Sequence, residues 1–312
     1  MRLGGRRQSR NVEDRRGQRG AGGMGGGIPI FRGGKLSLGT IVIALVAWLA
    51  FGVNPLQLLG GMSALEVDQS TVSHRGSTGE LTDAEGVFVS KVLATTEDIW
   101  AEQFRQHQYG RYKEPRLVLY SGATRTACGL GQGAMGPFYC PSDQTVYLDL
   151  EFFRETGKRM GVRGEFAQGY VIAHEVGHHV QQILGVLEQT QRAQQRSNQR
   201  QANQISVLTE LQADCFAGIW AHELAKQGDT IDEKDIRDAM NAAAAVGDDR
   251  IQRNTQGYVV PDAFTHGSSE QRVSWFTRGF KTGSIEACNT FANECLWIFN
   301  QHSNWSRCMP FR

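Results

Sequence analysis

Residues 171–180 read VIAHEVGHHV and contain an H-E-x-x-H motif, with Glu175 between His174 and His178. The surrounding apolar positions recur every three or four residues, which predicts an amphipathic helix: Phe166, Tyr170, Ala173, Val180 and Leu184. Residues four apart share one helix face, so both imidazoles can reach one metal ion. Zinc suits two imidazoles, a carboxylate and a water, and Glu175 would face that water. His179, one residue off this face, either supports a ligand or lies on the surface.

The third protein ligand must come from elsewhere in the chain. Gln181 and Leu184 occupy the glycine and histidine positions of the longer H-E-x-x-H-x-x-G-x-x-H pattern, which excludes that class. A second helix is predicted at residues 205–224, ISVLTELQADCFAGIWAHEL, whose small residues would let it approach the first closely. On this helix Glu210 is the predicted third ligand. Asp214 is placed to hydrogen-bond the other ring nitrogen of a ligating histidine.

The rest of the body predicts the fold class. RLVLY at residues 116–120 and TVYLDLEFF at residues 145–153 have the composition of strands. A helix is predicted from about Thr82, as its N-cap, to about His107. After the second strand the pattern is mostly helical. The sequence therefore predicts an α+β fold over residues 81–292, a mainly helical, zincin-like metallopeptidase domain with a small sheet.

The first 80 residues have a different character. Residues 1–35 hold nine Arg or Lys against two acidic residues and are rich in Gly, which predicts a disordered cytoplasmic tail. Residues 36–53, LSLGTIVIALVAWLAFGV, carry no charge and predict one transmembrane helix, with a cleaved signal peptide as the alternative. Residues 54–80 are expected to be a linker. The basic flank predicts a single-pass protein of a bacterial inner membrane, with a cytoplasmic N-terminus and an extracytoplasmic body.

All six cysteines follow the apolar run, which fits a body in an oxidising compartment. Cys128 and Cys140 bracket a Gly-rich loop and are one candidate disulfide. Cys295 and Cys308 are another, within a C-terminal extension at residues 293–312. Cys215 lies in an apolar helical pattern and is expected to be a small buried residue.

Four stretches in order, HEVGHHVQ, ELQADCFAG, NAAAAVGDDRIQ and FTHGSSEQRVSWFTRGF, resemble the bacterial putative neutral zinc metallopeptidase family over about residues 75–292. Members of that family resemble this chain in a basic N-terminus, one membrane-spanning segment and a zincin-like body. The resemblance implies gluzincin-like chemistry with one zinc ion per chain. The implied ligands are His174, His178 and Glu210, and the implied general base is Glu175.

Residues 265–272, THGSSEQR, resemble the T-H-P-S-x-x-x-R stretch of related membrane zincins. A helix is expected to begin at Ser268, the first residue of a capping box. His266 precedes that helix and is the candidate for stabilising the oxyanion of a tetrahedral intermediate. Arg272, one turn into the helix, is expected to pair with Glu210 or Asp214.

These residues predict a membrane-anchored zinc metallopeptidase acting on peptide or protein substrates, with a metal-activated water and Glu175 as general base. An extended substrate is expected along a sheet edge formed by residues 145–153, with residues 137–139 at the rim. The alternative is a membrane-tethered zinc-binding scaffold without peptidase activity, and an amidase acting on cell-wall peptides is a variant. Nucleic acid is not an expected partner because the chain beyond residue 35 is net acidic, although an Arg/Gly tail can bind RNA.

Overall fold

The sheet is built on the two apolar runs that the sequence singles out. A computed structural model describes residues 1–17, 81–132, 136–152, 154, 164–228 and 230–292. The strands are β1 (Val12–Asp14), β2 (Arg116–Tyr120), β3 (Ala123–Thr126), β4 (Gly129–Gln132), β5 (Phe138–Cys140) and β6 (Thr145–Asp149). Four of them form one sheet in the order β1-β2-β6-β5, and β3 and β4 form a separate hairpin.

The helices of the described residues follow the sheet in sequence, apart from the first. They are α1 (Ala84–Gln106), α2 (Glu165–Ile183), α3 (Val186–Gln195), α4 (Gln199–Lys226), α5 (Glu233–Ala245), α6 (Asp248–Gln256) and α7 (Ser269–Thr282). Two 3-10 turns, Pro261–Ala263 and Glu286–Cys288, flank α7. The predicted α+β class, mainly helical with a small sheet, is confirmed.

Both faces of the sheet are covered, because alternate residues of a strand point to opposite sides. Leu117, Leu119, Val146 and Leu148 belong to the main core, together with the apolar faces of α1, α2 and α4. Val118, Tyr120 and Tyr147 point the other way and pack with Phe138 and Cys140 in a smaller cluster. The continuous apolar runs of β2 and β6 are thus explained by burial on both sides.

Small residues set the spacing of the helices that carry the site. A Cβ at Gly279 of α7 would lie 1.9 Å from the carbonyl oxygen of Cys215 on α4, and a Cβ at Gly218 would lie 2.2 Å from that of Phe276. On α2, a Cβ at Gly177 would come within 3.0 Å of the Ala213 carbonyl oxygen. Helices α2, α4 and α7 therefore approach closely enough for polar side chains to meet between them.

The N-terminal segment (residues 1–17) differs from the prediction. It was expected to belong to a disordered tail, but Val12–Asp14 pairs in parallel with β2, and Leu3 and Val12 are buried in the core. Its arginines contact carboxylates of its own strand and of α1, including Arg7 with Glu97 and Arg16 with Asp83. The basic composition of this segment therefore reflects pairing with acidic groups rather than disorder.

Two finer predictions are also wrong. Asp83, not Thr82, caps α1, because its side chain accepts a hydrogen bond from the backbone N–H of Gly86. Strand β6 lies between β2 and β5, so the sheet edge is β5 (Phe138–Cys140) rather than residues 145–153. The turn after Cys140 folds β5 back antiparallel to β6 and covers the edge that β6 would otherwise present.

Several predictions fall on other parts of the chain. The proposed transmembrane run at residues 36–53, the linker at 54–80 and the C-terminal extension at 293–312 with Cys295 and Cys308 lie outside the described residues. Among the residues that are described, no helix has the length and apolar character needed to cross a membrane.

Candidate metal centre

His174, His178 and Glu210 meet between α2 and α4. The Nε2 atom of His174 lies 3.2 Å from Oε2 of Glu210, and the Nε2 atom of His178 lies 3.5 Å from Oε1. One ligand atom from each residue can be chosen so that all three lie within 4.8 Å of one another. The four-residue spacing on α2 and the facing glutamate on α4 bring together the three ligands predicted from sequence.

The donor set fits zinc. Two imidazole nitrogens and one carboxylate oxygen are ordinary zinc ligands, and three protein ligands leave a fourth position open for water or substrate, as in catalytic sites. The Nδ1 atoms of both histidines already have hydrogen-bond partners, so that only the Nε2 atoms converge on Glu210. The chemistry and the orientation of the residues therefore both suit one zinc ion.

A buried charged network holds His174. Its Nδ1 atom lies 2.9 Å from Oδ1 of Asp214. Arg272 donates to both oxygens of Asp214, at 2.8 and 2.9 Å, and Tyr170 donates its hydroxyl to the same carboxylate. Of the two partners predicted for Arg272, it contacts Asp214. Tyr170 was expected only to be apolar, and its role could not be inferred because its hydrogen-bond partner, Asp214, lies on another helix.

His178 is held differently, by a neutral amide. Its Nδ1 atom lies 2.8 Å from Oε1 of Gln181, one turn further along α2. Gln181 is fully buried. Sequence reasoning used this glutamine only to exclude a zincin class and missed its contact with a ligand. The i to i+3 spacing from His178 was the available signal.

The charges around the centre favour a cation. Burial alone would lower the pKa of His174, but the carboxylates of Asp214 and Glu210 outweigh it and raise that pKa to about 10. Burial would raise the pKa of Glu210, but the adjacent histidines hold it well below its usual range. Both shifts show that positive charge is favoured beside Glu210, and a bound dication can supply that charge.

Glu175 lies on α2 beside the three ligand residues and is buried. Burial raises its pKa, and the neighbouring histidines oppose the rise. The nearby backbone N–H of Tyr139 also opposes it, which places the edge strand β5 beside this carboxylate. A carboxylate with a raised pKa next to a metal site is well suited to accept and return a proton.

His179 joins α2 to β5 rather than lying on the surface. It is fully buried, its Nε2 atom lies 2.6 Å from the carbonyl oxygen of Lys113, and its Nδ1 atom lies 2.9 Å from the hydroxyl of Tyr139. Since a carbonyl only accepts, Nε2 carries the proton and Tyr139 donates to Nδ1. Burial lowers the pKa of His179 to about 4, so this link is neutral at pH 7.

His266 precedes α7 and is held by Asp248, a residue that sequence reasoning missed. Asp248 accepts from the backbone N–H groups of Thr265, His266 and Gly267, and its Oδ1 atom lies 3.2 Å from Nδ1 of His266. The His266 side chain remains 38% exposed. Burial would lower its pKa, but Asp248 and then Glu210 raise it, so a positive charge is favoured near the metal centre.

A cleft of about 590 Å³ opens from Glu210. It is lined by Cys128, Pro141 and Ser142 and by residues of α3 and α4 such as Gln191 and Thr209. The polar residues 188–203, between the two helices that carry the ligands, contain most of α3 and the start of α4. Helix α3 forms part of the cleft wall.

Two disulfides shape the region. Cys128 bonds to Cys140, which fastens the β3–β4 hairpin to the edge strand. Cys215, expected to be a small buried residue without a partner, bonds to Cys288, 73 residues later. That pairing was missed because nothing in the local sequence shows that the turn after α7 returns to α4.

Comparison with known proteins identifies the family. The family model described as putative neutral zinc metallopeptidase matches residues 1–291. The chain belongs to this family. Uncharacterized protein YpfJ of Escherichia coli (strain K12) is 50% identical over 93% of this chain and 99% of its own length. Uncharacterized protein Rv2575 of Mycobacterium tuberculosis (strain H37Rv) is 47% identical over 58% of this chain and 64% of its own length.

The family match confirms the resemblance inferred from the four motifs and extends it to the N-terminal segment. No solved structure matches this chain. Membership of the family thus adds independent support to a zinc centre at His174, His178 and Glu210, since the family is named for zinc.

Proposed function

We propose that this protein is a zinc-dependent hydrolase of peptide bonds. The observation that carries the proposal is the convergence of two Nε2 atoms and one carboxylate, with the buried Glu175 on the same helix as the two histidines. A structural zinc site needs four protein ligands and no neighbouring base. Three ligands and a buried carboxylate are the arrangement that hydrolysis requires.

His174, His178 and Glu210 would hold the zinc ion, which would lower the pKa of a water molecule and polarise the scissile carbonyl. Glu175 would take a proton from the attacking water and deliver it to the leaving amine. Burial helps both transfers, because it raises the pKa of Glu175 toward the range in which a carboxylate holds a proton transiently. Asp214 and Gln181 would keep the imidazoles in the orientation needed throughout.

The substrate is proposed to lie along β5. Within the described residues no strand pairs with the outer side of β5, so an extended peptide could pair there by strand addition. The backbone of Tyr139 brings β5 to Glu175, and the cleft continues from Glu210 toward Pro141. His266 is the proposed group for stabilising the oxyanion, because Asp248 fixes its ring and favours its charged form.

The test uses the full chain loaded with zinc, the Glu175→Gln variant and a mixed peptide library analysed by mass spectrometry. The variant should bind zinc normally and cleave about 10²–10⁴-fold more slowly, the usual contribution of a general base. Glu102→Gln is the matched control, since the Glu102 side chain lies on α1 and is 45% exposed, and it should cleave at the wild-type rate. Wild-type cleavage rates for Glu175→Gln would contradict the role of Glu175. A zinc-loaded wild type that cleaves nothing would favour the zinc-binding scaffold.

We also propose that the body acts outside the cytoplasm. Two disulfides within the described residues support this, because such bonds persist mainly in oxidising compartments. Membrane attachment through residues 36–53 stays a prediction from the sequence. Fractionation of cells expressing the tagged chain, with and without a carbonate wash, checks it.

A further inference from the structure

A charged group, Asp214, supports His174, whereas an uncharged amide, Gln181, supports His178. Hydrogen bonds continue from Gln181 away from the metal centre. Gln181 donates from Nε2 to the carbonyl oxygen of Thr209 at 2.7 Å. A carbonyl oxygen can only accept, so the nitrogen end of this amide faces Thr209 and its oxygen faces His178. His178 must then donate from Nδ1, which leaves the lone pair of Nε2 for a metal ion.

A second buried amide continues the chain of hydrogen bonds. Gln212 of α4 is fully buried, and its Oε1 atom lies 3.0 Å from Nε2 of Gln181. Its own Nε2 atom donates to the carbonyl oxygen of Cys288 at 3.1 Å. Because that carbonyl also only accepts, the orientation of Gln212 is fixed in the same way. Neither amide group can rotate by 180° without losing two buried hydrogen bonds.

The far end of this chain is covalently anchored. Cys288 is disulfide-bonded to Cys215, which is on the same helix as Gln212 and Glu210. Thr290 adds a hydrogen bond from its hydroxyl to the carbonyl oxygen of Leu208 at 2.8 Å. The segment at residues 286–290 is therefore fastened to α4 at Cys215 and at Leu208, which lie on either side of Gln212 along the helix.

We propose that Gln181 and Gln212 form a positioning relay between the Cys215–Cys288 disulfide and His178. The relay fixes the tautomer and the ring orientation of His178, and the disulfide fixes the relay. The proposal rests on the metal centre of the proposed function but not on peptide cleavage. It assigns the disulfide a role in metal binding in addition to its effect on stability.

The test measures zinc affinity of the full chain by competition with a chromogenic chelator. Gln181→Leu removes the acceptor of His178 and should weaken zinc binding about 10–100-fold, as loss of such a partner usually does. Gln212→Leu and the double variant Cys215→Ala/Cys288→Ala act further from the ligand and should weaken it by about threefold or more. Gln103→Leu is the matched control, because Gln103 is also buried but contacts Glu223 instead, and its affinity should be unchanged.

A second readout separates positioning from folding. Long-range ¹H–¹⁵N NMR spectra of the zinc-free chain, recorded at a pH high enough that the His178 imidazole is neutral, report which of its ring nitrogens carries the proton. Wild type and Gln181→Glu, which keeps an acceptor at this place, should both show the proton on Nδ1, whereas Gln181→Leu should not. A variant that only loosens the fold would lower the unfolding temperature without changing this spectrum.

Four outcomes bear on the proposal. Wild-type zinc affinity in both Gln181→Leu and Gln212→Leu would overturn it, as would a neutral His178 imidazole whose proton lies on Nε2 in the wild type. Unchanged zinc affinity in the Cys215→Ala/Cys288→Ala variant would show that the disulfide does not help to position His178. A wild type that binds zinc but cleaves no peptide would refute the peptidase and leave the relay standing.

Discussion

The metal centre and the N-terminal segment both join distant parts of the chain through arginine–carboxylate pairs, but they do so at different depths. Arg272 and Asp214 are 4% and 0% exposed, whereas Arg7 and Asp98 are 46% and 57% exposed. A buried pair is costly to break because the remaining charge is stranded, while an exposed pair contributes little. Similar contacts should therefore respond very differently to the loss of one partner.

The largest effect on stability is expected at the buried pair of Arg272 and Asp214. Arg272→Met keeps much of the side-chain volume but leaves Asp214 without its bidentate partner. It should lower the free energy of unfolding by about 3–5 kcal/mol, measured by urea denaturation of the zinc-free chain. Adding Asp214→Asn removes the stranded charge and should recover part of the loss. A single variant as stable as the wild type would show that Asp214 finds another partner.

The neutral, buried His179 should make the stability of the fold depend on pH. The pKa of His179 is about 4 in the folded chain and about 6.5 when unfolded, so between these values only the unfolded chain takes up the proton. Stability should therefore fall as pH drops from about 6.5 toward 4, by about 2–3 kcal/mol at pH 4.5. Urea denaturation of zinc-free wild type and His179→Gln at pH 7.5 and 4.5 isolates this contribution. An equal pH dependence in both proteins would contradict it.

The smallest effect is expected where the N-terminal segment meets α1. Glu97 is 1% exposed and binds Arg7, Ser9 and Asn11. Glu97→Ala leaves the buried Ser9 hydroxyl without its acceptor and removes one acceptor each from Arg7 and Asn11. It should cost about 1–3 kcal/mol in unfolding free energy, with faster proteolysis of residues 1–17. Asp98→Ala, which removes the exposed partner of the same arginine, should change stability by less than about 1 kcal/mol. Equal losses of unfolding free energy in the two variants would contradict the expected difference between buried and exposed contacts.

The same comparison explains what sequence could predict. His174 and His178 are related by one helical turn, so a local pattern was enough to place them on one face. Glu210 required only that a second helix pack against the first. Strand β1 depends on pairing with Leu117–Leu119, about a hundred residues later, and its arginines resemble those of a disordered tail until their partners are known.

The groups that support the ligands were the hardest to predict. Asp214 could be proposed because a carboxylate four residues after a ligand has an obvious use. Gln181 and Gln212 are uncharged, and their role depends on carbonyl groups that no side-chain pattern reveals. The partner of Cys215 was missed for a similar reason, since disulfide connectivity depends on the path of the chain after α7.

The pairing of β1 with β2 also constrains which compartment the ends of the chain occupy. Val12–Asp14 and the metal centre belong to one body, so both must lie in the same compartment. A chain that crossed a membrane once between residues 17 and 81 could not form this parallel pair. The β1–β2 ladder is therefore incompatible with a single crossing between those residues, and an engineered disulfide between the register partners Val12 and Leu117 would check the pairing in the cell.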